Sequence, residues 1–119
     1  MKRIIVVGIL LLLASTLSLS AGERNQADVE AKIMVWAGEL ADHAKAMGNL
    51  NHEADLRKKM ADGKYEWLAG HLVVHHEIAK AIAEAFRPKK RNNEKIETEI
   101  AKHRKRLATL GWYIMVVNE

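Results

Sequence analysis

The sequence of 119 residues has no cysteine, one proline and one phenylalanine. Without cysteine the chain can form no disulfide bond, carry no lipid-acylated cysteine and attach no haem through a Cys-x-x-Cys-His motif. The single proline, together with abundant alanine, glutamate, lysine and leucine, favours helices over other structure. A domain built this way has to draw its stability from helix packing, from self-association or from a bound ion.

The sequence also has no apolar run long enough to predict a membrane-spanning helix. An apolar stretch at residues 4–14 follows Lys2 and Arg3, and small or polar residues continue to Gly22. A spanning helix needs about 20 apolar residues. A basic start, a short apolar core and a small-residue exit are typical of a bacterial secretory signal peptide, which we place at residues 1–22.

Cleavage near residues 20–22 would leave one domain, residues 23–119, in the periplasm or outside the cell. The alternative is an uncleaved segment, residues 4–19, that anchors the chain in the inner membrane. Loss of Lys2 and Arg3 lowers the formal net charge of +4 by two. We therefore expect no strongly basic surface and no nucleic-acid partner.

Apolar residues recur at steps of three and four along the rest of the chain, which predicts helices. The first starts near Val29 and ends at Gly48-Asn49. A short second helix covers residues 51–62, with Asn51 as its N-cap. Two long helices follow at residues 65–86 and 94–117.

The apolar stripes of the three long helices define the predicted core. They are Val29, Ile33, Trp36, Leu40, Ala44 and Met47 in the first helix; Leu68, Leu72, His75, Ala79, Ile82 and Phe86 in the third; and Ile96, Ile100, His103, Leu107, Leu110, Ile114 and Val117 in the fourth. Short connections predict an all-α, small antiparallel helical bundle of three long helices and one short one. The alternative is a long helical hairpin that completes its core by dimerising.

The placement of the histidines suggests a site inside this bundle. His71 and His75 stand four residues apart, on adjacent turns of one helix face. Counting residues from the turn near Lys90 in both directions places His75 and His103 at nearly the same height along the bundle axis. The same count puts His43 and His52 within about one to two turns of that level, at about 1.5 Å of rise per residue.

We therefore predict a transition-metal site, for zinc or copper, formed by His71, His75 and His103, with His43 as a fourth ligand. His76 is expected to be solvated. Non-covalent haem on His75 or His103 is a less favoured cofactor. In another interpretation the histidines are only structural, or form a buried cluster that protonates near pH 6 and loosens the bundle.

No enzymatic motif stands out. His-Glu-x-x-His of zinc proteases and Glu-x-x-His of di-iron bundles are both absent. The sequence thus predicts a non-enzymatic, exported metal-binding bundle. The alternative is an envelope interaction or accessory protein, chaperone-like or inhibitor-like. Expected partners are another envelope protein, a second copy of the chain, or a membrane surface touched through residues 102–117.

Overall fold

The computed structural model describes residues 24–87 and 93–119, so the predicted signal peptide lies outside the described residues. Within these ranges the chain forms four helices and no strand: α1 (Gln26–Ala46), α2 (Leu50–Ala61), α3 (Tyr65–Ala85) and α4 (Asn93–Val117). The prediction of an all-α bundle with three long helices and one short one is confirmed. None of these helices combines the length and apolarity needed to cross a membrane.

Two glycines and two asparagines set the boundaries of α1 and α2. Gly48 and Gly63 follow these helices with φ angles of 80° and 67°, in the left-handed region that glycine adopts without a Cβ clash. The side chain of Asn25 accepts a hydrogen bond from the backbone N–H of Asp28 at the start of α1. Asn49 caps α2, so the prediction of Asn51 as this cap is wrong by two residues.

The contacts between α3 and α4 show an antiparallel pair. Close to their connection, Arg87 forms a salt bridge with Glu97. Further from it, His76 of α3 contacts His103 of α4. Moving away from the connection, the residue numbers of the contacting side chains fall along α3 and rise along α4, as in a helical hairpin.

The helix α1 also packs antiparallel to α4. The hydroxyl of Tyr113 donates a hydrogen bond of 2.8 Å to Glu30, and Arg106 bonds to Glu39 at 3.1 Å. Since α2 turns back along α1 after a three-residue connection, the chain runs up, down, up and down. This is the topology expected of a bundle with short connections.

The core lies where α1, α2, α3 and α4 meet, and it uses a stripe that differs in part from the predicted one. The apolar residues buried in this core are Val29, Ile33, Ala37, Ala41, Leu56, Leu68, Ala69, Leu72, Leu110 and Tyr113. The α1 part of this core includes two alanines, Ala37 and Ala41, whose small side chains allow neighbouring helices to approach closely.

Three predicted core positions are wrong. Met47, Ile82 and Phe86 have 71%, 54% and 60% of their surface exposed. Each lies at or near the end of its helix, where no other helix within residues 24–87 and 93–119 covers it. The predicted α3 stripe assumed one partner along the whole helix, whereas the buried positions of α3 all lie before Glu77.

Candidate metal site

Three histidines from two helices converge near the start of α2. One ligand nitrogen from each of His52, His71 and His75 lies within 4.8 Å of the other two. The ring centroids are 5.1 Å apart for His52 and His71, 5.5 Å for His52 and His75, and 4.6 Å for His71 and His75. All three side chains are half-buried. We call this group the histidine triad.

Local structure fixes each member of the triad. His71 and His75 are separated by one turn of α3, which places them on the same side of the helix. His52 lies in the first turn of α2, and its backbone N–H donates to the side chain of Asn49. The cap therefore sets the first turn of α2, and with it the direction in which the His52 ring leaves the helix.

Two ring nitrogens of the triad are buried without a hydrogen-bond partner. They are Nε2 of His52 and Nε2 of His71. A buried polar atom left without a partner costs about 1–3 kcal/mol, so proteins rarely retain one without a reason. A metal ion bound to these nitrogens would remove this cost, because imidazole nitrogen is a common ligand of zinc and copper.

The surroundings of two triad members, His71 and His75, favour the neutral form of their imidazoles. Burial lowers the pKa of His71, and the neighbouring His75 and His52 lower it further, against the opposing charge of Asp55. Burial also lowers the pKa of His75, with added contributions from His52 and His43. Neutral imidazole is the form that binds metal, so the lowered pKa values of His71 and His75 reduce competition by protons at these two ligands.

An aromatic residue and a cation shield one side of the triad. The ring of Trp67 stacks on His71, with centroids 4.8 Å apart and planes 10° from parallel. The ammonium of Lys59 lies 4.6 Å above the Trp67 ring. The stack restricts rotation of the His71 ring, which favours a fixed ligand geometry.

A second histidine group lies between α3 and α4. His76 and His103 are 8% and 9% exposed, and their Nδ1 atoms are 2.9 Å apart. On its other side, Nε2 of His103 lies 3.0 Å from a carboxylate oxygen of Glu99. The ring edge of His76 also meets Trp36. We call this group the histidine pair, and its Nδ1 atoms share one proton in a hydrogen bond.

Burial and the nearby His103 lower the pKa of His76 to about 4, with a further contribution from Arg106. His76 is therefore neutral at pH 7. The contact between the Nδ1 atoms requires a proton on one of them, and Nε2 of His103 is placed to donate to Glu99. Three of the four ring nitrogens of the pair thus have protein partners, and none of the four is a buried atom without a partner, unlike two nitrogens of the triad.

The structure brings together only part of the predicted ligand set. His71 and His75 lie side by side, whereas His103 lies in the pair. The sequence placed His103 at the height of His75 along the bundle axis. This height is correct to within one residue, since His103 contacts His76 instead of His75. The prediction that His76 is solvated is wrong. His43 is exposed and does not belong to the triad.

His52 is the triad member that the predicted ligand set lacks. Its level along the bundle was compatible with a site. The signal in the sequence was its spacing: His52 stands four residues before Leu56, which is buried, so the two side chains lie on one face of α2.

The apolar part of residues 102–117 is largely used inside the bundle. Leu110, Tyr113 and Val116 are buried, and the hydroxyl of Tyr113 is hydrogen-bonded to Glu30. Burial of Tyr113, followed by its hydrogen bond to the carboxylate of Glu30, raises the pKa of this phenol. These side chains hold α4 against α1 and are covered by protein.

No family model, curated protein or solved structure matches the chain. The interpretation of the two histidine groups therefore depends on their geometry.

Proposed function

We infer that this protein is an exported, non-enzymatic helical bundle that binds one transition-metal ion, zinc or copper, through His52, His71 and His75. The observation that carries this proposal is the pair of buried Nε2 atoms, on His52 and His71, that have no hydrogen-bond partner. In addition, one ring nitrogen from each of His52, His71 and His75 lies within 4.8 Å of the other two, which gives a three-nitrogen ligand set on two helices. Bundles commonly hold metals between facing helices in this way.

The ligand set of the triad is better suited to an ion that exchanges with the surroundings than to an ion that is permanently enclosed. Three protein ligands leave at least one coordination position for water or for a donor group of another molecule. The three histidines are half-buried while the Nε2 atoms of His52 and His71 are buried, so a bound ion would lie just beneath the surface. We therefore favour storage or transfer of the ion over a purely structural role.

The test is metal binding by the purified protein, stripped with a chelator and titrated with Zn²⁺ and Cu²⁺ by calorimetry. We expect one ion per chain. At a free metal concentration about 100 times the dissociation constant, the ion should stabilise the fold by about 2.7 kcal/mol. That gain should raise the melting temperature by at least about 10 °C for a domain of this size.

The decisive variant is His71→Ala/His75→Ala, which removes two of the three ligands. We expect metal affinity to fall by more than about 100-fold, beyond the loss typical of residues that only orient a ligand. Circular dichroism would check that the helices remain. A variant that binds the ion as tightly as the wild type would end the proposal and favour an envelope accessory protein with structural histidines.

Export is the second part of the proposal, and it depends on the N-terminal sequence pattern. A basic start, an apolar run and a small-residue exit precede the bundle. N-terminal sequencing of the protein recovered from the periplasmic fraction should show a chain beginning near residue 21. A full-length chain in the membrane fraction would instead support the anchor at residues 4–19.

A further inference from the structure

One side of α3 carries a row of large apolar side chains that no other described part of the chain covers. Val74, Ile78, Ile82 and Phe86 are spaced four residues apart, and between 53% and 60% of each is exposed. Single exposed apolar residues are common on protein surfaces, but a contiguous row usually marks an interaction site. We call these four residues the α3 stripe.

The stripe lies where α3 extends beyond the core. The buried residues of α3 are Leu68, Ala69, Leu72 and His76, and none follows His76. The second half of the helix packs against α4, where Arg104 bonds to Glu84 at 3.1 Å. This half therefore has one covered side and one apolar side without a partner.

The residues beside the stripe fit a protein partner better than a lipid surface. Ala81 and Ala85 lie along one flank, so a second helix could approach closely. A helix that lies on an anionic membrane has a rim of free lysines and arginines. Lys80 is the one lysine or arginine of α3, and it lies about half a turn around the helix from the centre of the stripe, 3.9 Å from Glu77. Arg87, just after α3, is paired with Glu97.

The spacing of the stripe makes it complementary to itself. Four positions at intervals of four are symmetric about residue 80. When a second α3 is laid antiparallel with its residue 80 at the same level, Val74 of each copy faces Phe86 of the other. Ile78 likewise faces Ile82. A two-fold interface needs this kind of match, with one surface meeting its own copy and small side chains meeting large ones.

The exposed area of the α3 stripe limits the affinity of such a dimer. Four half-exposed side chains offer on the order of 400 Å² per copy, or about 800 Å² in total, below the roughly 1,200–2,000 Å² of stable complexes. We propose that the α3 stripe is the interface of a weak, reversible, two-fold homodimer in which two α3 helices pack antiparallel. This proposal does not depend on metal binding by the triad.

The first test is the mass of the protein by analytical ultracentrifugation, from about 5 to about 500 µM, since a weak dimer responds to concentration. The chain is expressed from its full sequence and purified from the periplasmic fraction. We expect the wild type to shift from monomer to dimer within this range. Ile82→Glu should weaken the dimer at least about 10-fold, because it places a charge in an apolar interface.

Val35→Glu is the matched control, because Val35 is 60% exposed but lies on α1, away from the stripe. It should leave the monomer–dimer equilibrium unchanged. A wild type that stays monomeric up to the highest concentration would overturn the proposal. Equal weakening by both variants would overturn it too, as would a monomer that binds anionic lipid vesicles through the stripe.

A second test determines whether the two α3 helices of the dimer pack antiparallel, and it needs no substitution that disrupts the interface. The chain has no native cysteine, so Ile78→Cys and Ile82→Cys can be prepared as single-thiol proteins. In the proposed dimer residue 78 of one copy faces residue 82 of the other. A mixture of the two variants should therefore form disulfide-linked dimers several times faster than either variant alone. Equal rates in all three samples would contradict the antiparallel arrangement.

Discussion

The histidine triad and the histidine pair lie on adjacent residues of one helix, yet their chemistry differs. His75 belongs to the triad and faces α2, whereas His76 belongs to the pair and faces α4. The pair is almost fully buried; its two Nδ1 atoms bond to each other, and Nε2 of His103 lies beside Glu99. The triad is half-buried and retains two unpartnered nitrogens.

This difference shows why burial alone does not identify a ligand-binding histidine. The more deeply buried group is the one that the protein satisfies by itself, and it contributes to holding α3 on α4. The less buried group has nitrogens that the protein leaves without partners. The number of hydrogen-bond partners, more than the depth of the side chain, therefore separates a structural histidine from a candidate metal ligand.

The largest difference between the pair and the triad should appear in the free energy of unfolding of the metal-free protein. His103→Leu removes the partner of Nδ1 of His76, so we expect the free energy of unfolding to fall by about 1–3 kcal/mol. His52→Leu removes an unpartnered nitrogen instead and should leave the free energy of unfolding unchanged or raise it. Urea denaturation in the presence of a chelator measures both. Similar losses in the two variants would remove the distinction between the groups.

A smaller effect is expected from pH, because the imidazole of His76 and its packing are then retained. The folded-state pKa of His76, about 4, lies below the ordinary value of 6.5. The neutral form is thus favoured by folding. Its contribution is complete above pH 6.5 and is lost progressively as the pH falls from 6.5 towards 4.

Thermal melts of metal-free protein between pH 7.5 and pH 4.5 measure this loss. His76→Gln should reduce the pH dependence over that interval, since glutamine does not titrate. Because carboxylates and the triad also titrate in the chain, the comparison is between the two slopes. Parallel curves for the wild type and His76→Gln would contradict the assigned role of His76.

The smallest effect is expected at His43. This histidine is exposed and outside the triad, although its charge contributes to lowering the pKa of His75. His43→Ala should therefore change metal affinity by less than about threefold, within the range of an electrostatic effect at a surface. Calorimetric titration with Zn²⁺ measures it. A loss of tenfold or more would make His43 the fourth ligand after all.

Much of the fold could be predicted from the sequence because its signals are local. Gly48 and Gly63 end α1 and α2 where expected, and steps of three and four predicted all four helices. The antiparallel arrangement followed from the short connections. These features depend on neighbouring residues, so one sequence contains the information they need.

The side of α3 that faces each neighbour could not be predicted in the same way. His75 and His76 are adjacent, and a rotation of about 100° exchanges one for the other at a helix interface. That rotation depends on how α2 and α4 pack against α3, which the spacing of residues along one helix does not specify. The exposed end of α3, with Ile82 and Phe86, likewise reflects how far the neighbouring helices reach.

The connection between His52 and His71 has a further consequence for the unfolded chain. An ion held by both residues would close a loop of about 20 residues, comparable to the loops for which a disulfide removes roughly 3 kcal/mol of chain entropy. Unlike a disulfide, this closure would need no oxidant and would open when the ion leaves. In a protein without cysteine, metal supply would then set how long the domain survives unfolding and proteolysis.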